Sequence, residues 1–143
     1  VGALSIVTDR RDEAARVLSQ VKRVIRTNYS NPPTHGAAIV AAVLSSPALR
    51  RIWEDELATM RSRIRAMRQR LVELLAKKAP HQDFAFINQQ RGMFSYTGLT
   101  VEQVERLKSE FGIYAVSTGR ICVAALNSGN IEYVADAIAQ VTA

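Results

Sequence analysis

The sequence is poor in the residues that staple or catalyse: one cysteine, Cys122, and two histidines, His35 and His81, in 143 positions. One thiol excludes an internal disulfide, and neither histidine sits in a spaced cluster with cysteine or carboxylates, so no metal is expected. A lone thiol suits a reducing compartment, and the cytoplasm is the expected location. No apolar run approaches the roughly 20 residues that cross a bilayer, and the start lacks the charged, apolar and small-residue zones of a secretory leader. No membrane partner is expected. G-x-S-x-G, the P-loop and G-x-G-x-x-G are also missing, which leaves hydrolase, nucleotide and dinucleotide readings without a motif. The first residue is Val1, not methionine, and VGALSIV at once reads as a buried strand, so a segment is expected to precede it.

What is present is enough apolar residue, 48%, to build a core for one ordinary domain. The formal charge is +6, but most arginines are scattered with glutamates over helical segments, which reads as a solvated basic surface. The sharper alternative is a basic helical nucleic-acid-binding module, with Arg61, Arg65 and Arg68 of RSRIRAMRQR facing phosphates. No nucleic-acid motif and no aromatic platform accompany those arginines, so no nucleic acid is expected. A third reading is a non-catalytic segment that associates through its apolar strand and helix.

Along the chain, Asp9 or Asp12 can cap a helix reaching about Arg26, with Ala15, Val17, Leu18, Val21 and Ile25 as its apolar positions. Pro32 and Pro33 lack amide hydrogens and force a loop over residues 29–36. A short apolar helix covers about 37–44. Ser46-Pro47 then suits a cap and first helical position. Trp53, Leu57, Met60, Ile64, Met67, Leu71 and Leu74 recur at spacings of four and three, the core stripe of a helix on the order of 50 Å long. A globule of this length is roughly 35 to 40 Å across, so the helix should overhang its domain.

After Pro80 the pattern turns to strands at 84–87 (FAFI) and 93–97 (MFSYT), then IYAVS and ICVAAL joined at Thr118-Gly119-Arg120. Thr100 and Gln103 form a capping-box pattern ahead of Val104, Leu107 and Phe111, and Gly112 ends that helix. A last helix starts near Asn130 and carries Ile131, Val134, Ile138 and Val141. The class is α/β, with an orphan first strand.

Cys122, inside an apolar strand, reads as a small buried hydrophobe. Arg120 stands at a sheet end, where its guanidinium fork can hold a carboxylate, although an exposed hairpin arginine is the plainer reading. Arg26, at a helix C-terminus, has a plain reading as a cation favoured by the helix dipole.

IRTNYSNPPTHGAAIVAAVLS, RRIWEDELATMRSRIRAMRQRLVELL, QRGMFSYTGLTVEQVERLKSEFGIYAVSTGRICVAALN and the terminal helix resemble, in that order, the C-terminal part of the class I aminotransferases that use pyridoxal phosphate. The nearest likeness is the bacterial aspartate and aromatic-amino-acid subgroup, and it covers essentially the whole chain. It implies the C-terminal segment of the fold type I pyridoxal-phosphate transferase architecture. Residues 1–46 would be an edge of the large cofactor-binding domain, and 47–143 the small domain with the long linking helix. It further implies a homodimer moving an amino group from aspartate or an aromatic amino acid to a 2-oxo acid such as 2-oxoglutarate.

By that similarity Arg120 matches the arginine that grips the substrate α-carboxylate, and Phe94 an aromatic position beside the substrate. Arg26 matches the arginine that reaches across the dimer to a side-chain carboxylate, with Tyr29, Ser30 and Asn31 lining the neighbour's site. The family's cofactor-bonding lysine lies upstream of this chain, and Lys22, Lys77, Lys78 and Lys108 do not match it, so the segment alone is expected to be inactive. Ala124-Ala125 stands where many relatives have the glycine of VAG.

Overall fold

A computed structural model describes residues 2–143. It forms two compact units that divide between Glu54 and Asp55. The first contains helices α1 (Arg11–Asn28) and α2 (His35–Ser45). Helix α3 (Pro47–Lys78) starts in this unit and continues into the second, where β1 (Phe94–Tyr96), α4 (Val101–Phe111), β2 (Arg120–Cys122) and α5 (Ile131–Thr142) follow. At 32 residues, α3 is about 48 Å long.

The helix boundaries follow local chemistry closely. Pro47 opens α3, and the Ser46 hydroxyl accepts the Leu49 N–H at 3.4 Å. The Thr100 side chain accepts the Gln103 N–H while the Gln103 side chain accepts the Thr100 N–H, a complete capping box. Gly112 closes α4 in the left-handed region, φ 64°, its N–H and that of Ile113 returning to Lys108 and Leu107 carbonyls. Replacing Thr100 by alanine is expected to weaken the start of α4 by about 1 kcal/mol. Faster amide exchange at Gln103 would register it, and unchanged protection would contradict the role. The cap of α1 differs from expectation: Arg10 holds the N-cap position without a side-chain capping bond to the backbone, and Asp12 lies inside the first turn, where it accepts from the Arg10 and Arg16 side chains.

The core lies in the second unit. Leu71, Val72, Leu74 and Leu75 of α3 pack with Val104 and Leu107 of α4 and with Ile131, Ala135, Ile138 and Val141 of α5. Only the C-terminal end of the predicted α3 stripe, Leu71 and Leu74, is buried. Ile64 and Met67 are partly covered, while Trp53, Leu57 and Met60 are exposed, Met60 at 57%. Periodicity identifies one face of a helix, but a face is buried only where another element meets it.

Several strand expectations give way. Residues 2–7 form no ladder, and Val7 is 94% exposed, because no described strand pairs with them; Val1 lies outside the described residues. FAFI becomes the start of a 3-10 turn, Ala85–Gln89, begun by Asp83 accepting the Ala85 N–H at 2.7 Å. IYAVS forms no strand and meets the start of β2 only through the turn bonds of Val116, and ICVAAL is strand only to Cys122 before a second 3-10 turn, Val123–Ala125. The described sheet therefore pairs β1 with β2 rather than IYAVS with ICVAAL.

Candidate functional site

Strands β1 and β2 are antiparallel, with Phe94 opposite Cys122, Ser95 opposite Ile121 and Tyr96 opposite Arg120. Alternation along a strand sends Ser95 and Ile121 toward the core and leaves Phe94, Tyr96, Arg120 and Cys122 on the other, open face. Cys122 is accordingly exposed, not buried as the apolar run implied. Arg120 is the first residue of β2 rather than part of the link before it.

On the open face the Arg120 guanidinium lies over the ring of Phe94, its diagonal neighbour, with the guanidinium carbon 5.0 Å from the ring centroid. Among the described residues no carboxylate pairs with Arg120. An exposed fork of donors backed by an aromatic ring can take an incoming carboxylate through two parallel hydrogen bonds. The sequence-predicted pair Arg120 and Phe94 is thus brought together.

The backbone beneath this face is fixed from several sides. Gly119 has φ 78°, and a Cβ there would stand 2.9 Å from the Leu99 carbonyl oxygen. The Gly119 carbonyl accepts both the Thr97 N–H, at 3.0 Å, and the Thr97 hydroxyl, at 2.8 Å. From α3, Arg68 donates through Nη2 to Gly92 O at 2.6 Å and through Nε to Ser95 Oγ at 3.3 Å. Arg63 donates to Leu126 O at 2.8 Å and to Ala124 O at 2.7 Å. The two arginines therefore tie β1, with the residue just before it, and the 3-10 turn after β2 to the same helix. On the outer edge the Gln90 side chain meets both backbone groups of Tyr96, accepting its N–H at 2.8 Å and donating to its carbonyl at 2.9 Å. Neither Ala124 nor Ala125 has positive φ, so the backbone there does not require the glycine of VAG.

Arg68, a candidate phosphate contact on sequence grounds, is 5% exposed and engaged with Gly92 and with Ser95 of β1. Arg61 and Arg65 remain exposed and, with Met60, Ile64 and Met93, line a cleft of about 900 Å³ beside residues 88–93. The spacing 68, 71, 72, 75 marks Arg68 as a member of the buried face, the signal that could have found it.

In the first unit the end of α1 gathers the other predicted residues. The Tyr29 and Ser30 N–H groups both donate to Ile25 O, at 3.1 and 2.9 Å, and the Asn31 N–H to Tyr29 O at 2.8 Å. This winds Ser30 into the left-handed region, φ 66°, the one non-glycine residue with positive φ among those described. Arg26 Nη1 donates to the Ser30 hydroxyl at 2.5 Å. Tyr29 and Asn31 are exposed. Arg26, Tyr29, Ser30 and Asn31 form one local cluster.

The lysines lie on helices. Lys22 and Lys77 are exposed, and Lys108 Nζ is 3.9 Å from Glu105. Lys78 bonds Asp136 and lies 3.7 Å from Glu132, and the Asp136 hydrogen bond raises its pKa above the ordinary lysine value. A lysine that attacks a carbonyl needs the opposite shift.

The family model "Aminotransferase class I and II" matches residues 1–138. The chain is 70% identical to an aspartate aminotransferase of Pseudomonas aeruginosa over 141 residues, covering 99% of this chain and 35% of that protein. It is 50% identical to the aromatic-amino-acid aminotransferase of Escherichia coli, covering 99% of this chain and 36% of that one. It thus spans about a third of the length of the curated relatives it matches. Among solved structures, an aromatic-amino-acid aminotransferase from Burkholderia pseudomallei covalently bound to pyridoxal phosphate superposes with TM-score 0.84 at 71% identity, covering 94% of this chain and 34% of that one. A mitochondrial aspartate aminotransferase from Trypanosoma brucei gives 0.85 at 46% identity, over 95% and 36%. No described helix is long and apolar enough to cross a membrane.

Proposed function

Because this chain belongs to the class I and II aminotransferases, we propose that it supplies the substrate-carboxylate side of an aspartate or aromatic-amino-acid aminotransferase working with pyridoxal 5′-phosphate. The enzyme passes the amino group of its amino acid to a 2-oxo acid such as 2-oxoglutarate. The observation that carries this reading is the unpaired Arg120 fork stacked on Phe94. Arg120 holds the substrate α-carboxylate, and Phe94 both orients the guanidinium and borders the substrate. Arg26, steadied by Ser30, serves a side-chain carboxylate in the second subunit of a homodimer, with Tyr29 and Asn31 beside it. Residues 1–46 are an edge of the large domain and 47–143 the small domain, in a cytoplasmic enzyme without nucleic-acid or membrane partners.

The residues present do not fit the attachment site of the cofactor. None of the four lysines has the environment of a carbonyl-attacking amine, and Lys78 is held charged by Asp136 and Glu132. When bound, the cofactor supplies the electron sink of the reaction. This chain's part is to bind and orient carboxylates, which places the substrate relative to the reacting centre. By itself it is expected to be inactive.

Substrate choice provides the test. In the complete enzyme Arg26→Leu should lower kcat/KM for aspartate about 30-fold, by removing one charge-assisted contact, and change that for phenylalanine only a few-fold. Steady-state assays of both with 2-oxoglutarate decide it, and equal losses would contradict the assignment of Arg26.

A further inference from the structure

We infer that Thr97 is the positioning residue for Arg120: its hydroxyl clamps the Gly119 carbonyl and so sets where the guanidinium stands over Phe94. The inference rests on the reading of Arg120 as the α-carboxylate ligand. Thr97 is 0% exposed, so its hydroxyl has no water to turn to. That hydroxyl donates to Gly119 O at 2.8 Å and accepts the Leu99 N–H at 3.3 Å. It joins the backbone immediately before Arg120 to the chain at Leu99.

The backbone N–H of the same residue also reaches Gly119 O, at 3.0 Å, so one carbonyl receives two donors from one residue. On the far side of Arg120, its own carbonyl accepts the Val116 N–H at 3.1 Å, and the Gly119 N–H returns to Val116 O at 2.8 Å. The turn into β2 is therefore fixed at both flanking peptides, and only the Thr97 hydroxyl among these contacts comes from a side chain. Losing it leaves the Thr97 N–H bond to Gly119 O in place as the carbonyl's single tie to Thr97 and so loosens the Gly119–Arg120 peptide. A small rotation there is carried to the tip of a long side chain. Ligand capture by two parallel bonds depends on direction as well as distance.

The test compares three variants in the complete holoenzyme. Thr97→Val keeps the volume and removes the donor; Thr97→Ser keeps the donor; Arg120→Lys checks the underlying assignment. Thr97→Val is expected to raise KM for aspartate and phenylalanine alike, by about tenfold, the scale of one hydrogen bond, with a smaller change in kcat. Thr97→Ser should restore KM to within about twofold of the parent. If the valine variant does not accumulate, Thr97→Ala removes the same donor without adding bulk and takes its place. Normal KM in the donor-less variant, beside a raised KM in Arg120→Lys, overturns the role of Thr97 alone. Unchanged KM in Arg120→Lys overturns the reading beneath it. A serine variant as impaired as the valine one means that returning the donor does not return KM, and an impaired serine variant beside a normal valine one means that methyl packing matters and the hydroxyl does not; either overturns the inference.

Discussion

Arg120→Lys in the complete enzyme is expected to lower kcat/KM for aspartate and for phenylalanine together, by roughly 300-fold. The size follows from what lysine cannot do. A guanidinium offers a planar fork that meets both oxygens of a carboxylate, and here it lies over the Phe94 ring. An ammonium is a compact point charge with a stronger claim on water, so it keeps the sign of the interaction and loses its geometry. Both substrates carry the α-carboxylate, hence the common loss, in contrast to the selective loss expected at Arg26. Steady-state kinetics with each substrate measure it. Unchanged kcat/KM would remove Arg120 from the substrate site.

The largest structural effect is expected at the preceding residue. Gly119→Ala should destabilise the second unit by roughly 2 to 4 kcal/mol, the sum of a forced left-handed conformation and an overpacked contact. Two facts combine here: φ is 78°, and the new Cβ would meet Leu99 O at 2.9 Å and Leu99 N at 3.3 Å. The neighbouring atoms are backbone, so they cannot swing away as a side-chain tip would. Urea unfolding followed by the fluorescence of a reporter in this unit, with amide exchange at Leu99 and Arg120, measures the change. A variant as stable as the parent would show that the turn has room to relax.

Much of this was legible from local chemistry. The Thr100–Gln103 box, the Gly112 stop, the Pro47 start and the Asn130 boundary were all readable because each depends on a few adjacent side chains. The strands were less so. In FAFI the alternation of two hid a spacing of three, since Phe84 and Ile87 are buried while Phe86 is exposed. In ICVAAL a continuous apolar run concealed which residues faced inward, and so Cys122 was placed on the wrong side. Arg68 was missed for a related reason. A charge on an amphipathic helix is ordinarily assigned to solvent, and only the distant partners Gly92 and Ser95 make its burial tolerable. Thr97 gave a faint signal, a polar residue two positions from Ser95 on the inward side of a strand. The Arg120–Phe94 pairing needed the β1–β2 register, which joins segments 26 positions apart and is not encoded within either one.

Gln90 has a consequence at the exposed rim of this two-stranded sheet. A bare strand edge offers alternating donors and acceptors, a template on which a foreign strand can grow. At Tyr96 that template is already occupied, because the Gln90 carboxamide presents the acceptor and donor that an added strand would bring. One side chain thus counterfeits a third strand for the length of one residue. The open face proposed to receive carboxylates is thereby guarded, at its border, against polymerising with its own kind.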